Sequence, residues 1–248
     1  MRKWLPVFLV ILIIFSLVHL YHGVSGVKEA DVLVDKLHQV DWRNRNSLDN
    51  LNDQFEPIHA NLLTKLANSN DYEVRLMSAY LLTRNNKKEY DQYLYDSLRS
   101  EDSQERAMAS SLLCDLWFNE AGPLARQGLY DAQKLIQKGK LDQAINRLTL
   151  IIHEDPGFAE AYNQRAILFY LKGDYVKAIA DCRSAVNLNP DHFGAYSGMG
   201  ESYLGLRDYG NAMVSFKKAL DISPHENGTR QMLNMTQQLL QRKLGVMA

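Results

Sequence analysis

Matching residues return every 34 positions between about Ala125 and Glu226. Tyr162 returns as Tyr196, and Asp174-Tyr175 returns as Asp208-Tyr209. Ala144, Ala178 and Ala212 form one series, and Pro156, Pro190 and Pro224 form another. Ala132, Ala166 and Gly200 share a third small-residue position, with Ala185 and Ala219 at a fourth. A fixed period of this length predicts stacked helix-turn-helix units, because each unit can bury its apolar face only against its neighbours. No strand-like alternation persists along the chain, so the expected class is all-α.

The middle unit, Ala159 to His192, carries Tyr162, Ala166, Phe169, Gly173-Asp174-Tyr175, Ala178, Ala185 and Pro190. Small side chains at Ala166, Ala178 and Ala185 let two antiparallel helices approach closely. Gly173 suits the left-handed backbone that ends a helix, and Pro190 stops the next one. This ladder resembles the tetratricopeptide repeat (TPR) family, with three repeats over about 125–226. The first repeat, Ala125 to Phe158, departs from the pattern: Gly128 replaces the usual aromatic, Asp131 an apolar residue, and Ile151 a small one. The third has Arg207 where the turn glycine belongs. Thr229 to Leu244 spaces Met232, Met235, Leu239 and Leu240 as a closing helix.

A weaker period of 31 residues precedes this one. Leu63, Ser69, Asp71, Arg75, Met77, Leu81 and Leu82 return as Leu94, Ser100, Asp102, Arg106, Met108, Leu112 and Leu113. Each unit reads as a helix, a polar turn whose Ser or Asp caps the next helix, and a second helix. The pair is similar to HEAT-like repeats; unrelated helical hairpins are the alternative. Pro57 suits the first turn of a helix. Gly122-Pro123 marks the junction, so the two arrays are expected to abut as one right-handed α-α superhelical solenoid.

Arg2 and Lys3 precede an uncharged run from Trp4 to Val27. As a helix it would reach roughly 36 Å, enough to cross a bilayer core of about 30 Å. Two readings stand: a retained signal-anchor transmembrane helix, or a signal peptide cleaved near Val24-Ser25-Gly26. The first predicts a single-pass membrane protein with a cytoplasmic N-terminus and an extracytoplasmic solenoid; the second, a secreted one. Val27 to Trp42 has helical spacing, and Arg43 to Gln54 reads as a polar connection. The expected segments are therefore 1–26, anchor or signal; 27–56, stalk helix and connection; 57–122, HEAT-like hairpins; 123–226, TPR repeats; and 227–248, capping helix and tail.

A net charge of −1 gives no general attraction to nucleic acid. Cys114 and Cys182, in different arrays, read as two buried free thiols. His153, His192 and His225 lie too far apart in sequence for a metal motif and read as solvated turn residues. No phosphate-binding glycine loop and no nucleophile elbow occurs, so no catalytic, cofactor or metal residue is expected.

What the TPR resemblance implies is a concave surface built from the first helix of each repeat. Its inward residues would be Leu129, Gln133 and Ile136 from the first repeat, Asn163, Ile167 and Tyr170 from the second, and Ser197, Glu201 and Leu204 from the third. Ile136, Tyr170 and Leu204 would form an apolar stripe for an extended or helical peptide. They could equally pack against the chain's own helices. The family's clamp for acidic chaperone C-termini uses cations and asparagines at set positions, which here hold Leu129, Gln133, Gln164, Gly194 and Gly198. The expected function is a non-enzymatic, membrane-anchored interaction scaffold that binds a protein or peptide. A homo-oligomeric envelope assembly factor and an unrecognised enzyme are the other readings.

Overall fold

The computed structural model describes residues 30–53 and 60–245. They form helices and turns, with no strand among the described residues. The chain divides between Tyr90 and Asp91 into two compact units, each described by itself. That division falls within the expected 57–122 segment. Gly122 instead caps the N-terminus of a helix whose first residue is Pro123, where proline's missing N–H leaves no bond unmade.

The first compact unit contains α1 (30–38), α2 (Arg45–Asp53), α3 (Ala60–Leu66) and α4 (Tyr72–Arg84). Leu33 and Leu37, four apart on α1, are buried. The expected polar connection over Arg43 to Gln54 is corrected, because most of it is α2. Burial of Leu48 and the hold of Arg84 on Asp49 order it, and Arg84 also donates to the Tyr80 hydroxyl. Polar composition hid one apolar anchor and one ion pair. Pro57 lies outside the described residues.

The capping turns follow the expected pattern. Asp71 accepts from the backbone N–H groups of Glu73 and Val74, at 2.9 and 3.3 Å, and Arg75 donates to the Ser69 carbonyl. In the second compact unit Asp102 accepts from Gln104 and Glu105 N–H, and Arg106 donates to the Ser100 carbonyl.

The single-pass membrane topology is corrected. No helix among the described residues is long and apolar enough to cross a membrane. Residues 4–27, on which the anchor and signal readings rested, lie outside the described residues.

The second compact unit runs through α5 (Asp91–Ser97), α6 (Ser103–Asn119), α7 (Pro123–Gln137), α8 (Leu141–Glu154), α9 (Ala159–Leu171), α10 (Tyr175–Leu188), α11 (Phe193–Gly205), α12 (Tyr209–Ile222) and α13 (Asn227–Lys243). The pairs α7–α8, α9–α10 and α11–α12 are the three repeats, each packed on the next. Ala144, Ala178 and Ala212 are buried, as are Ala132, Ala166 and Gly200; a larger side chain there would push the paired helices apart. Helix α13 covers α12 and touches α11.

Each repeat's internal turn needs one residue in the left-handed region. Gly139 has φ 69°, Gly173 has φ 79°, and Arg207 adopts φ 56° despite its side chain. Stacking on both sides imposes the turn even where glycine is missing. The expected pair of buried thiols is half corrected: Cys182 is buried, whereas Cys114 is exposed, and neither forms a disulfide among the described residues.

Candidate peptide-binding surface

The first helices of the repeats, α7, α9 and α11, line one face, and that face is not empty. Helix α6 packs against α7 and α9 and crosses the N-terminal ends of successive first helices. At its C-terminal end Phe118 joins the core of Ala125, Leu129 and Ala132, with its ring 5.0 Å from that of Tyr130. One residue earlier, Trp117 stacks on His192 at 4.2 Å and leans on Phe193 at 5.2 Å, at the start of α11. The N-terminal end of α6 and the residue Leu98 reach the turn before α13. There Leu98, Ser103, Arg106 and Ser110 line a cleft of about 440 Å³ with Ser223, His225 and Glu226. Arg99 donates to the carbonyl of Asp221 at the end of α12.

Beneath Trp117 lies a buried polar knot. His192 Nδ1 accepts the N–H of Ala195 at 3.1 Å and so caps α11. In the neutral ring the other nitrogen then carries the proton, and Nε2 donates to Glu160 Oε2 at 2.9 Å. Asn163 donates to the same oxygen at 3.2 Å, and Gln164 donates to Oε1. The carboxylate thus meets three donors, which is what makes its burial tolerable. The knot ties α9 to α11 and gives the indole a flat seat. The expected solvated role of His192 is corrected, because it is 1% exposed. Burial pushes the Tyr95 phenol far above its ordinary pKa, with Trp117 hydrogen-bonded to it and Asp191 facing it.

This internal packing divides the nine expected groove residues. Leu129, 1% exposed, belongs to the core, and Asn163 is buried with its amide committed to Glu160. Neither offers a surface to a ligand. Both expectations are corrected, because α6 and the Glu160 knot occupy the N-terminal half of the face. The Ser197 hydroxyl bonds Thr229 at 2.8 Å. The other six, Gln133, Ile136, Ile167, Tyr170, Glu201 and Leu204, lie toward the C-terminal ends of the first helices and stay half-buried or exposed.

Within this open half, Ile167 is 43% exposed, and the ring of Tyr170 stands 5.7 Å from that of Tyr175. Burial raises the Glu201 carboxyl above its usual pKa. Burial also raises the Tyr170 phenol, with the charge of Glu201 adding to the effect. Among the described residues no group of three His, Cys, Asp or Glu side chains could hold a metal ion.

Sequence reasoning missed Trp117, Glu160 and His192. One available signal was α6 itself. The doublets Leu112-Leu113 and Trp117-Phe118 put large apolar residues on more than one side of one helix, the mark of a helix covered on several sides.

Residues 159–192 and 193–226 each match the tetratricopeptide repeat family. The HEAT-like resemblance of 57–120 finds no such support. A first TPR domain of Spaghetti (RPAP3) bound to an HSP90 peptide is 26% identical, covering 47% of this chain and 92% of its own, with a TM-score of 0.46. The Hsp70-Hsp90 organizing protein of Triticum aestivum is 28% identical over 92 residues, 37% of this chain and 16% of its own length. Superkiller complex protein 3 of Homo sapiens is 29% identical over 102 residues, but the match spans only 6% of its length. A TPR repeat-containing protein of Rhizobium etli is 30% identical over 146 residues, 57% of this chain and 70% of the relative. That breadth, added to the stacked helix pairs and their buried small-residue positions, places the chain in the tetratricopeptide repeat family.

Proposed function

We propose that this chain is a non-enzymatic protein-interaction scaffold, whose right-handed array of repeats holds a segment of another protein against the open half of its inner face. One observation carries the reading. Ile136, Tyr170 and Leu204 stand at equivalent positions on adjacent first helices, and each keeps part of its surface in solvent. Apolar sockets of this kind take alternate side chains of an extended segment, while Gln133 can bond its backbone. The wheat relative is named for organizing Hsp70 and Hsp90. In this chain the positions of the acidic-terminus clamp hold Leu129, Gln133, Gln164, Gly194 and Gly198. Leu129 is in the core and Gln164 is bonded to Glu160. A terminal carboxylate meets no cation there.

The test compares the full chain with a Tyr170→Ala/Leu204→Ala variant in affinity capture read by mass spectrometry, with circular dichroism as the folding control. A partner retained by the parent and lost from an equally helical variant supports the reading. Capture unaffected by the substitutions removes the open half from the account. Sedimentation of both proteins separates partner capture from self-association.

A further inference from the structure

We propose that Glu201 makes this open surface selective for a basic segment: a partner peptide presenting a lysine or arginine between apolar side chains. The inference rests on the groove reading above and adds the chemistry of its occupant.

Glu201 sits on α11, half-buried, and its carboxylate makes no hydrogen bond or ion pair among the described residues. The cations of α9, of its C-cap and of α10 are already committed. Arg165 holds both oxygens of Asp181, Arg183 donates to the Tyr203 hydroxyl, Lys172 pairs with Asp142, and Lys177 pairs with Asp174. A carboxylate drawn partly out of water without a partner is costly to the folded protein. Burial raises the pKa of this carboxyl, and its charge adds to the burial that raises the Tyr170 phenol. Glu160 on α9 had the same problem and solved it internally, with three donors. Glu201 lacks such donors and stays only half-buried.

The surroundings fit a long cationic side chain. Ile167, Tyr170 and Leu204 can cover the methylenes of lysine or arginine while the head group meets the carboxylate. Arginine fits better, because its planar fork bonds both oxygens and can lie on the Tyr170 ring. A segment with an acidic residue at the same place would put two like charges together in a partly desolvated site.

The experiment uses the full 248-residue chain and fluorescent nonapeptide pools with apolar flanks, their central residue fixed as arginine, citrulline or glutamate. Citrulline keeps the shape of arginine and removes its charge. Binding is followed by anisotropy for the parent and for Glu201→Gln, with melting curves as the folding control. Arginine-centred pools are expected to bind the parent about tenfold more tightly than citrulline-centred ones, as one charge-assisted bond would give. In Glu201→Gln the two pools should fall within about twofold of each other. Equal binding of both pools by the parent, or an arginine preference that survives Glu201→Gln, overturns the assignment and leaves the groove standing. No binding of any pool overturns the groove and the assignment together.

Discussion

The side chain of Ile151 occupies the space that a side chain on Gly128 would need: a Cβ built there would stand 2.8 Å from Ile151 Cδ1 and Cγ1. The equivalent pairs in the next repeats are Tyr162 with Ala185 and Tyr196 with Ala219. The first repeat therefore exchanges a large residue on its first helix for a large one on its second. The volume between the helices is kept and its donor is switched. Ile151→Ala should leave a cavity and cost roughly 2–5 kcal/mol, and Gly128→Tyr alone should clash. The double variant Gly128→Tyr/Ile151→Ala should recover most of the loss, read as a positive coupling in a denaturant double-mutant cycle. Additive losses would mean that the two positions do not share one space.

A second exchange concerns charge. Arg165 on α9 and Asp181 on α10 form a bidentate pair at 2.7 and 2.8 Å, little exposed. At the same positions of the first repeat the polarity is reversed, Asp131 on α7 with Arg147 on α8, at 3.5 Å and more exposed. In the third repeat Met199 and Ser215 stand there. Asp181→Ala strands a mostly buried guanidinium and should cost roughly 3 kcal/mol. Removing Asp131 should cost less than about 1 kcal/mol. The swap Arg165→Asp/Asp181→Arg should restore much of the stability in urea unfolding. A swap no better than the single substitution would show that the neighbours of Arg165, among them Thr149, fix the polarity.

These two exchanges also show what the sequence made legible. The period, the helix pairs, the turn prolines and the closing helix follow from spacing alone, because neighbour-on-neighbour stacking needs the same small residues at every step. Gly128, Asp131 and Ile151 look like defects one at a time; they are compensations that only contact reveals. The same holds for the surface. Periodicity puts Leu129 and Asn163 on the inner face, but nothing periodic announces that α6 lies across it or that Glu160 and His192 meet 32 residues apart. Helix α6 belongs to a segment with a different period, so its docking is a tertiary fact with no local signature.

Among the internal turns of the three repeats, Arg207 is the position where the chain pays for lacking glycine. With φ 56° it occupies the conformation of Gly139 and Gly173. A side chain there costs about 1–2 kcal/mol, part of which glycine returns as extra freedom in the unfolded chain. Arg207→Gly should therefore raise stability by roughly 0.5–1 kcal/mol, measured by thermal melting. A loss of stability would mean that the arginine side chain makes a favourable contact worth more than the strain.

The two cysteines should separate cleanly in a thiol titration. Cys114 is exposed. Cys182 lies in the core among Ala166, Met199 and Phe216, and burial, with Asp181 and Glu201 nearby, pushes its thiol up to about 12. Only the thiolate attacks a disulfide reagent. One equivalent should react promptly in the folded chain and the second only on unfolding. Two prompt equivalents would mean that α10 opens readily from α11.

Glu201 sets the sign of a pH effect. Burial raises its folded pKa above the ordinary 4.5, so the folded chain takes up its proton more readily than the unfolded chain. The stabilisation that follows is complete below 4.5 and is lost as pH rises through the displaced value. At pH 7 the parent thus carries an ionised, half-buried carboxylate at a cost to its stability. Glu201→Gln keeps the shape and removes the charge. The variant should melt above the parent at neutral pH, and the gap should narrow as the buffer is taken below 4.5. Tyr170, also raised, titrates above this range. Asp71 is lowered: against the desolvation that would raise it, its bonds to His38 and to the N–H groups of Val74 and Glu73 prevail, and it shifts both proteins alike. A variant that melts below the parent at pH 7 would mean that Glu201 already has a cation in solution, and that the vacancy a basic ligand would fill does not exist.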